Sequence, residues 1–272
     1  MYKEFYQLKE NPFNVTADPG FYFSSEHHNE AFSHLLYGIK QRKGIIVLTG
    51  EVGTGKTTLC RKLLSKLDEG VKTAFILNPR FSDIDLLKFI LKDLGIKGNY
   101  RNKFSLINAL NEFLISEASK GGNVVVMIDE AQNLKVPQLE QVRLLSNLET
   151  EKEKLLQIIL VGQPELDDKL KLEELRQLNQ RISVRYNVPP LEEKEVGEYI
   201  EHRIKKASAS SEINPSIEFT AEAIKSIYKF SDGIPRIINI ICDRALLAGY
   251  VNETHTFDNR IVHQCIREVS LK

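Results

Sequence analysis

The sequence predicts an α/β domain, a parallel sheet with helices on both faces, followed by a small all-α domain. Short runs rich in Val, Ile and Leu alternate with helix-like segments up to residue 188, as expected for strands that are buried on both faces. After the two prolines that follow, the pattern contains helical stripes alone, and the residue before a proline favours extended backbone. We therefore predict domains at 1–188, with an amino-terminal arm at 1–42, and at 189–272.

The periodicity of the apolar residues places the elements in order. A helix is expected in the arm, where apolar residues recur at helical spacing, and four helices are expected after residue 190. Thr220 is expected to cap the second of these four, Gly233 to end it, Pro235 to begin the third and Asp258 to open the fourth. The strand-like runs are 44–50, 72–78, 124–129 and 157–162.

Composition excludes several classes of protein. The chain has 272 residues, of which 42% are hydrophobic and 27% charged, which is ordinary for a folded chain with its own core. The 37 basic and 37 acidic residues cancel, so no global field attracts nucleic acid or an anionic membrane. Three cysteines without a C-x-x-C pair favour the cytoplasm. No apolar run approaches the roughly 20 residues of a spanning helix, so direct membrane insertion of this chain is not expected.

A phosphate-binding motif lies between the first strand and the helical pattern after it. Its backbone N–H groups can wrap a polyphosphate at a helix N-terminus, where the partial charge is positive. Lys56 would reach the β- and γ-phosphates, and Thr57 would offer its hydroxyl to Mg²⁺. A glycine-rich turn without a ligand is the alternative. The match to G-x-x-x-x-G-K-[ST] comprises Gly50, Glu51, Val52, Gly53, Thr54, Gly55, Lys56 and Thr57, and Thr58 follows.

Two carboxylates, Asp129 and Glu130, follow the apolar run 124–128. Ligands bind at this carboxyl edge of open α/β sheets. Asp129 would hold Mg²⁺, and Glu130 would orient or activate the attacking water. Alone, the pair would also fit a solvated turn. Together with the loop, it predicts a site that binds and hydrolyses a triphosphate.

The order of these features along the chain resembles that of the AAA+ ATPases. The features are the loop, the acidic pair, a further strand that ends in a polar residue, and the trailing helices. The resemblance implies that Gln163 senses the γ-phosphate, although family members often carry Asn, Thr or Ser there; a glutamine that caps its own loop is the alternative. It also implies that Arg236, in the Gly-Ile-Pro-Arg segment that begins at Gly233, contacts the nucleotide from the helical lid of the same chain. A solvated arginine is the alternative.

The resemblance further implies an arginine finger, which is presented to the nucleotide of a neighbouring subunit. Arg181 fits the position best, and Arg176 is the second choice. Such a finger contributes about 10³ to 10⁵ in rate. The implied assembly is a homo-oligomer that hydrolyses ATP at inter-subunit sites. The alternative for Arg181 is that it lies on a charged helix face that is merely solvated.

Further segments resemble one branch more specifically, the general secretion pathway protein A (ExeA/GspA) family. This resemblance implies that Pro12 and Phe13 lie near the adenine, in an apolar slot; a hydrophobic anchor for the arm is the alternative. The segments that carry it include 11–13, 28–31, 36–39, 130–134, 145–150 and 161–166.

The branch implies an ATPase that drives assembly or remodelling of an envelope complex of the type II secretion kind. Its partners would be ATP or ADP, further copies of itself and secretion or export components, which would bring it to the inner face of the membrane. The module also resembles the TnsC and MuB transposition regulators, so an ATP-dependent DNA-binding regulator is the alternative. The densest basic cluster is only Arg203, Lys205 and Lys206, which argues against DNA as a partner.

Several residues are expected to be structural. Neither the histidines nor the cysteines have metal-ligand spacing. His27 and His28 are expected on a solvated helix start. Cys60 follows the loop by about one helical turn, and packing is its expected role.

Overall fold

The computed structural model describes residues 2–79, 82–151, 153–208 and 217–270. The chain divides into two compact units. We call the first the sheet unit; it comprises Asn29–Gly50 and Leu59–Val188. We call the second the helical unit; it comprises Met1–His28, Glu51–Thr58 and Pro189–Lys272.

The sheet unit contains a five-stranded parallel sheet. Its strands are β1 (Ile45–Gly50), β2 (Val71–Ile76), β3 (Asn123–Ile128), β4 (Gln157–Val161) and β5 (Ile182–Val188). Their order is β2-β3-β4-β1-β5. Every residue of β1 and β4 is buried, as are the last five residues of β3, because helices cover both faces of a parallel sheet. The four predicted strands are therefore confirmed.

β5 was not predicted from the sequence. It pairs in parallel with β1 and forms one edge of the sheet. Only Val184 and Val188 are buried in it, so its apolar residues alternate instead of forming a continuous run. The alternation from Ile182 to Val188 was the signal that could have revealed it.

The helices follow the predicted pattern. They are α1 (Tyr2–Phe5), α2 (Glu26–Lys40), α3 (Lys56–Leu64), α4 (Asp83–Asp93), α5 (Lys103–Ser119), α6 (Val136–Leu145), α7 (Pro164–Leu170), α8 (Arg176–Asn179), α9 (Glu193–Ala207), α10 (Ala221–Ser231), α11 (Pro235–Val251) and α12 (Asn259–Ser270). None of the helices within the described residues has the length and apolar character that crossing a membrane requires.

The predicted helix boundaries of the carboxyl-terminal part are confirmed. Thr220 caps α10 by accepting a hydrogen bond from the backbone N–H of Ala223. Pro235 is the first residue of α11. Helices alone do not complete this region, however, because Glu218–Phe219 (β6) and Thr256–Phe257 (β7) form a short parallel pair.

The core of the helical unit combines α9–α12 with the part of the amino-terminal arm that precedes residue 29. Tyr6, Phe13 and Phe21 of the arm are buried in the same apolar cluster as α9–α12. The Tyr6 hydroxyl donates to the carbonyl of Thr254 at 3.0 Å. Large aromatic side chains thus anchor the first part of the arm within this unit.

We expect Gly233→Ala to destabilise the protein strongly. Gly233 has φ +72°, and an added Cβ would lie 1.9 Å from the carbonyl oxygen of Leu191. The Leu191 N–H donates to the Gly233 carbonyl at 2.9 Å, so relieving the clash would disturb this contact. We expect the free energy of unfolding, measured by urea denaturation, to fall by about 3 kcal/mol.

Gly95→Ala is the matched control for this prediction. Gly95 has a similar φ of +75°, but no described atom lies within 4 Å of an added Cβ. The left-handed backbone alone costs about 1 kcal/mol. Equal losses in the two variants would show that the contact with Leu191 contributes nothing.

Candidate functional site

The predicted phosphate loop leads from the carboxyl end of β1 into α3, whose first residue is Lys56. Gly53 and Gly55 have φ of +86° and +96°, a region that L side chains rarely adopt. The Thr54 N–H and hydroxyl both donate to the carbonyl of Glu51, at 3.3 and 2.9 Å. The glycines therefore permit a tight turn directly before a helix N-terminus.

Lys56 closes the loop on itself. Its Nζ donates to the carbonyl of Glu51 at 2.8 Å, and the residue is 8% exposed. Glu51 and Val52 are exposed, whereas Thr57 and Thr58 are half-buried. An ammonium has three donors, so a phosphate oxygen can compete for one of them.

The loop contacts the start of α11 within the helical unit. The Arg236 N–H donates to the carbonyl of Gly53 at 3.2 Å, and a Cβ added at Gly53 would lie 2.5 Å from the Arg236 Cβ. The Arg236 side chain is exposed. The structure thus brings the predicted lid arginine to the loop, although its role stays a prediction.

The two carboxylates lie at the carboxyl end of β3 in the sheet unit. Asp129 is 3% exposed, and its N–H donates to the carbonyl of Ile76 at 2.7 Å. The Asp129 Oδ1 accepts from the N–H of Glu130 at 2.9 Å. Glu130 has φ 55°, and such strained non-glycine residues cluster at functional sites. β1 and β3 both pair in parallel with β4, so Gly50 and Asp129 lie at the same sheet edge.

Glu130 and Gln163 contact each other directly, and Gln132, which was not predicted as a site residue, contacts both. Gln132 Nε2 donates to Glu130 Oε2 at 2.7 Å, and Gln163 Nε2 donates to the same oxygen at 3.3 Å. Gln132 Oε1 accepts from the Gln163 N–H at 3.2 Å. The Gln163 side chain makes no cap hydrogen bond within α7, so its amide is directed to the carboxylate. The signal for Gln132 was its position two residues after Glu130.

The candidate finger arginines lie around α8. Arg176 begins α8 and Arg181 follows it, and both are exposed. Arg185 instead donates to Asp167 Oδ1 at 3.1 Å and also contacts Asn179. Arg181 therefore remains accessible, whereas Arg185 is held by its own unit.

Pro12 and Phe13 lie in the interior of the helical unit. The Phe13 side chain is 2% exposed, and the Pro12 carbonyl accepts a hydrogen bond from Arg203 Nε. Their predicted proximity to the adenine stays a prediction.

Arg203, which belongs to the densest basic cluster of the sequence, is buried. It is 6% exposed, its guanidinium lies 4.7 Å from the centroid of the Phe21 ring, and it donates to the carbonyl of Asn14 at 3.0 Å. Buried arginine is retained where its donors are satisfied. The cluster with Lys205 and Lys206 is therefore not a surface patch of three cations.

The expected solvated position of His28 is wrong. This residue is 5% exposed, its Nε2 lies 2.8 Å from the carbonyl oxygen of Thr54, and its Nδ1 lies 2.7 Å from Ser25 Oγ. Burial lowers the pKa of the imidazole, against the raising effects of the Thr54 hydrogen bond and the Glu195 charge. His27 is half-buried. The expected packing of Cys60 is confirmed, since it is fully buried.

Comparisons with known proteins agree with this architecture. A family model described as an AAA domain matches residues 39–170. General secretion pathway protein A of Aeromonas hydrophila is 42% identical over 271 residues, which are 97% of this chain and 47% of that protein. The chain thus spans about half the length of this relative.

Solved structures share the fold at low sequence identity. The Aeropyrum pernix ORC2 protein in its ADP form has a TM-score of 0.67 and 15% identity over 96% of this chain and 73% of its own. Cdc6p from Pyrobaculum aerophilum has a TM-score of 0.67 and 17% identity over 98% of this chain and 71% of its own. Drosophila ORC bound to DNA has a TM-score of 0.68 and 18% identity over 98% of this chain and 65% of its own. At such identities the likeness shows the fold alone.

Proposed function

We propose that this chain, which contains an AAA domain and is related to general secretion pathway protein A, is an AAA+ ATPase that binds and hydrolyses ATP with Mg²⁺ at the loop that follows β1. The observation that carries the proposal is the loop itself. Two glycines at positive φ turn the backbone directly before Lys56, the first residue of α3. Loops of this kind direct N–H groups and a helix N-terminus toward phosphates.

The residues present suit Mg²⁺ as well as the nucleotide. Thr57 supplies a hydroxyl and Asp129 a carboxylate, and both are the hard oxygen ligands that Mg²⁺ prefers. When bound, Mg²⁺ would neutralise charge that develops on the phosphate oxygens. Lys56 would exchange the Glu51 carbonyl for the β- and γ-phosphates, to which it would make charge-assisted hydrogen bonds.

The hydrolytic step would rest on Glu130. A carboxylate at the carboxyl edge of the sheet can orient a water or accept its proton. Gln132 and Gln163 donate to one of its two oxygens, which orients the carboxylate. In the same proposal, Gln163 senses the γ-phosphate, Arg236 reads the phosphates from its own chain and Arg181 reads those of a neighbouring subunit.

Replacing Lys56 by Ala tests nucleotide binding. The variant removes the ammonium, and loss of a charge-assisted hydrogen bond weakens affinity by about 10- to 100-fold. We expect isothermal titration calorimetry with ATP and Mg²⁺ to show this loss, and phosphate release to fall to background.

Lys66→Ala is the matched control, because Lys66 is an exposed lysine shortly after α3. It should bind and hydrolyse ATP as the unmodified chain does. Wild-type affinity in Lys56→Ala would refute the assignment of the loop.

We further propose that hydrolysis serves assembly or remodelling of an envelope complex, in which this ATPase acts as an oligomer with secretion or export components. The support is the 42% identity to general secretion pathway protein A. The alternative of a DNA-binding regulator is weakened by the inward position of Arg203, which leaves the densest basic cluster with two lysines on the surface. A DNA interface requires basic side chains that reach phosphates.

A further inference from the structure

A buried histidine joins the arm to the phosphate loop inside the helical unit. The carbonyl oxygen of Thr54 can only accept a hydrogen bond, so His28 Nε2, 2.8 Å away, carries the proton. In the neutral ring Nδ1 then accepts from the hydroxyl of Ser25 at 2.7 Å. Burial lowers the pKa of His28, which favours the neutral ring, and its two partners select this tautomer.

The ring is held from several directions. Ser25 is itself buried, and its Oγ also accepts from the His28 N–H at 3.3 Å. The Tyr22 ring packs edge-on against the imidazole, and the Tyr22 hydroxyl donates to the His28 carbonyl at 3.1 Å. A histidine fixed in this way presents one donor, in one direction, to the loop.

That donor fixes the orientation of a peptide group in the phosphate loop. In a planar trans peptide the C=O and the following N–H point in opposite directions. Holding the Thr54 carbonyl toward His28 therefore directs the Gly55 N–H to the opposite side. Gly55, at φ +96°, can adopt conformations of either sign of φ at little cost, so the peptide needs an external anchor to keep one orientation.

We propose that His28 is a positioning residue for nucleotide binding, which orients the Thr54–Gly55 peptide so that the Gly55 N–H donates to a phosphate oxygen. This inference rests on the proposed binding of ATP at the loop. His28 contacts the loop and not the reacting atoms, so it should affect the ground state and the transition state equally. Such a residue changes KM and leaves kcat nearly unchanged.

The test compares His28→Leu with His28→Gln. Leu has no donor, whereas the Gln side-chain amide can place an N–H near the position of Nε2. We expect His28→Leu to raise the Kd of ATP and the KM about tenfold with kcat within twofold, and His28→Gln to stay within about threefold of wild type. Titration calorimetry and steady-state phosphate release measure these values, and thermal unfolding without nucleotide checks the fold.

Each outcome decides the proposal. Rescue by Gln supports it, because a purely structural role would not depend on a donor at that position. Unchanged affinity in a folded His28→Leu, or equal losses in both variants, overturns it. Should His28→Leu fail to fold, Ser25→Ala takes its place: losing the Nδ1 partner should raise the Kd at least about threefold, and an unchanged Kd overturns the proposal.

The design separates this inference from the proposed function. If the wild-type chain binds ATP, Lys56→Ala does not, and His28→Leu behaves as wild type, then only the role of His28 is wrong. If the wild-type chain itself binds no ATP, both proposals are overturned.

Discussion

Glu130→Gln is expected to retain ATP binding and to lose turnover by about two to four orders of magnitude. Glutamine has nearly the same size and keeps one acceptor oxygen for the Gln132 and Gln163 amides, so the local packing can persist. It has no negative charge and cannot take a proton from water at neutral pH. The effect should therefore fall on kcat and on the rate constant of the hydrolytic step, which single-turnover phosphate release measures, and not on the Kd of ATP.

Glu165→Gln is the control for this substitution. Glu165 is an exposed carboxylate in the first turn of α7, close in sequence to Gln163. Its turnover should equal that of the wild type. If Glu130→Gln also turned over at the wild-type rate, Glu130 would have no part in hydrolysis.

The strained backbone of Glu130 indicates that the carboxylate at this position has a function. At φ 55° a non-glycine residue costs about 1 kcal/mol or more, and glycine would relieve that strain. A glutamate with this backbone geometry, held by two glutamine amides, indicates that its carboxylate is needed where it lies. Gln, and not Gly or Ala, is the informative substitution, because it keeps the size of the side chain and the cost of this backbone conformation and removes only the charge.

How much of the fold was predictable depended on the kind of signal each element carries. β1, β3 and β4 are buried on both faces, so their continuous apolar runs were sufficient. β5 lies at the edge next to β1, and its alternating pattern was weaker than a run. The pair β6 and β7 is too short to show any period, because each strand has only two residues. Its pairing depends on contacts between distant segments.

The residues of the site also differ in how far the sequence could predict them. The loop could be predicted because its chemistry lies in consecutive residues. His28 was expected in solvent because of its residue type, since most polar side chains lie there, and residue type alone does not reveal that Arg203 is buried. Their partners are Thr54, 26 positions away, and Pro12, 191 positions away. Buried polar groups are tolerated when their hydrogen bonds are satisfied, and a single sequence does not show which distant groups meet.

Arg181→Ala is expected to lower turnover about 10³-fold or more if Arg181 is the finger of a neighbouring subunit. Arg181 is exposed beyond the end of α8, whereas Arg185 is engaged by Asp167. An exposed arginine can donate hydrogen bonds to the charge that develops on the phosphoryl group bound by another copy. Binding of ATP should persist, since the loop of each Arg181→Ala subunit is intact. Arg176→Ala is the matched control and should turn over normally; a loss there instead would identify Arg176 as the finger.

Mixing Arg181→Ala with Lys56→Ala subunits distinguishes a finger in trans from an effect within one chain. An intact loop in the first variant can then meet an intact Arg181 in the second. In a head-to-tail assembly mixed at equal amounts, roughly a quarter of the interfaces are productive, so hydrolysis should return to about that fraction of the wild-type rate. Co-assembly should be demonstrated by cross-linking of differently tagged subunits. If the variants co-assemble and no hydrolysis returns, Arg181 does not act across the interface, because every productive combination would have been present.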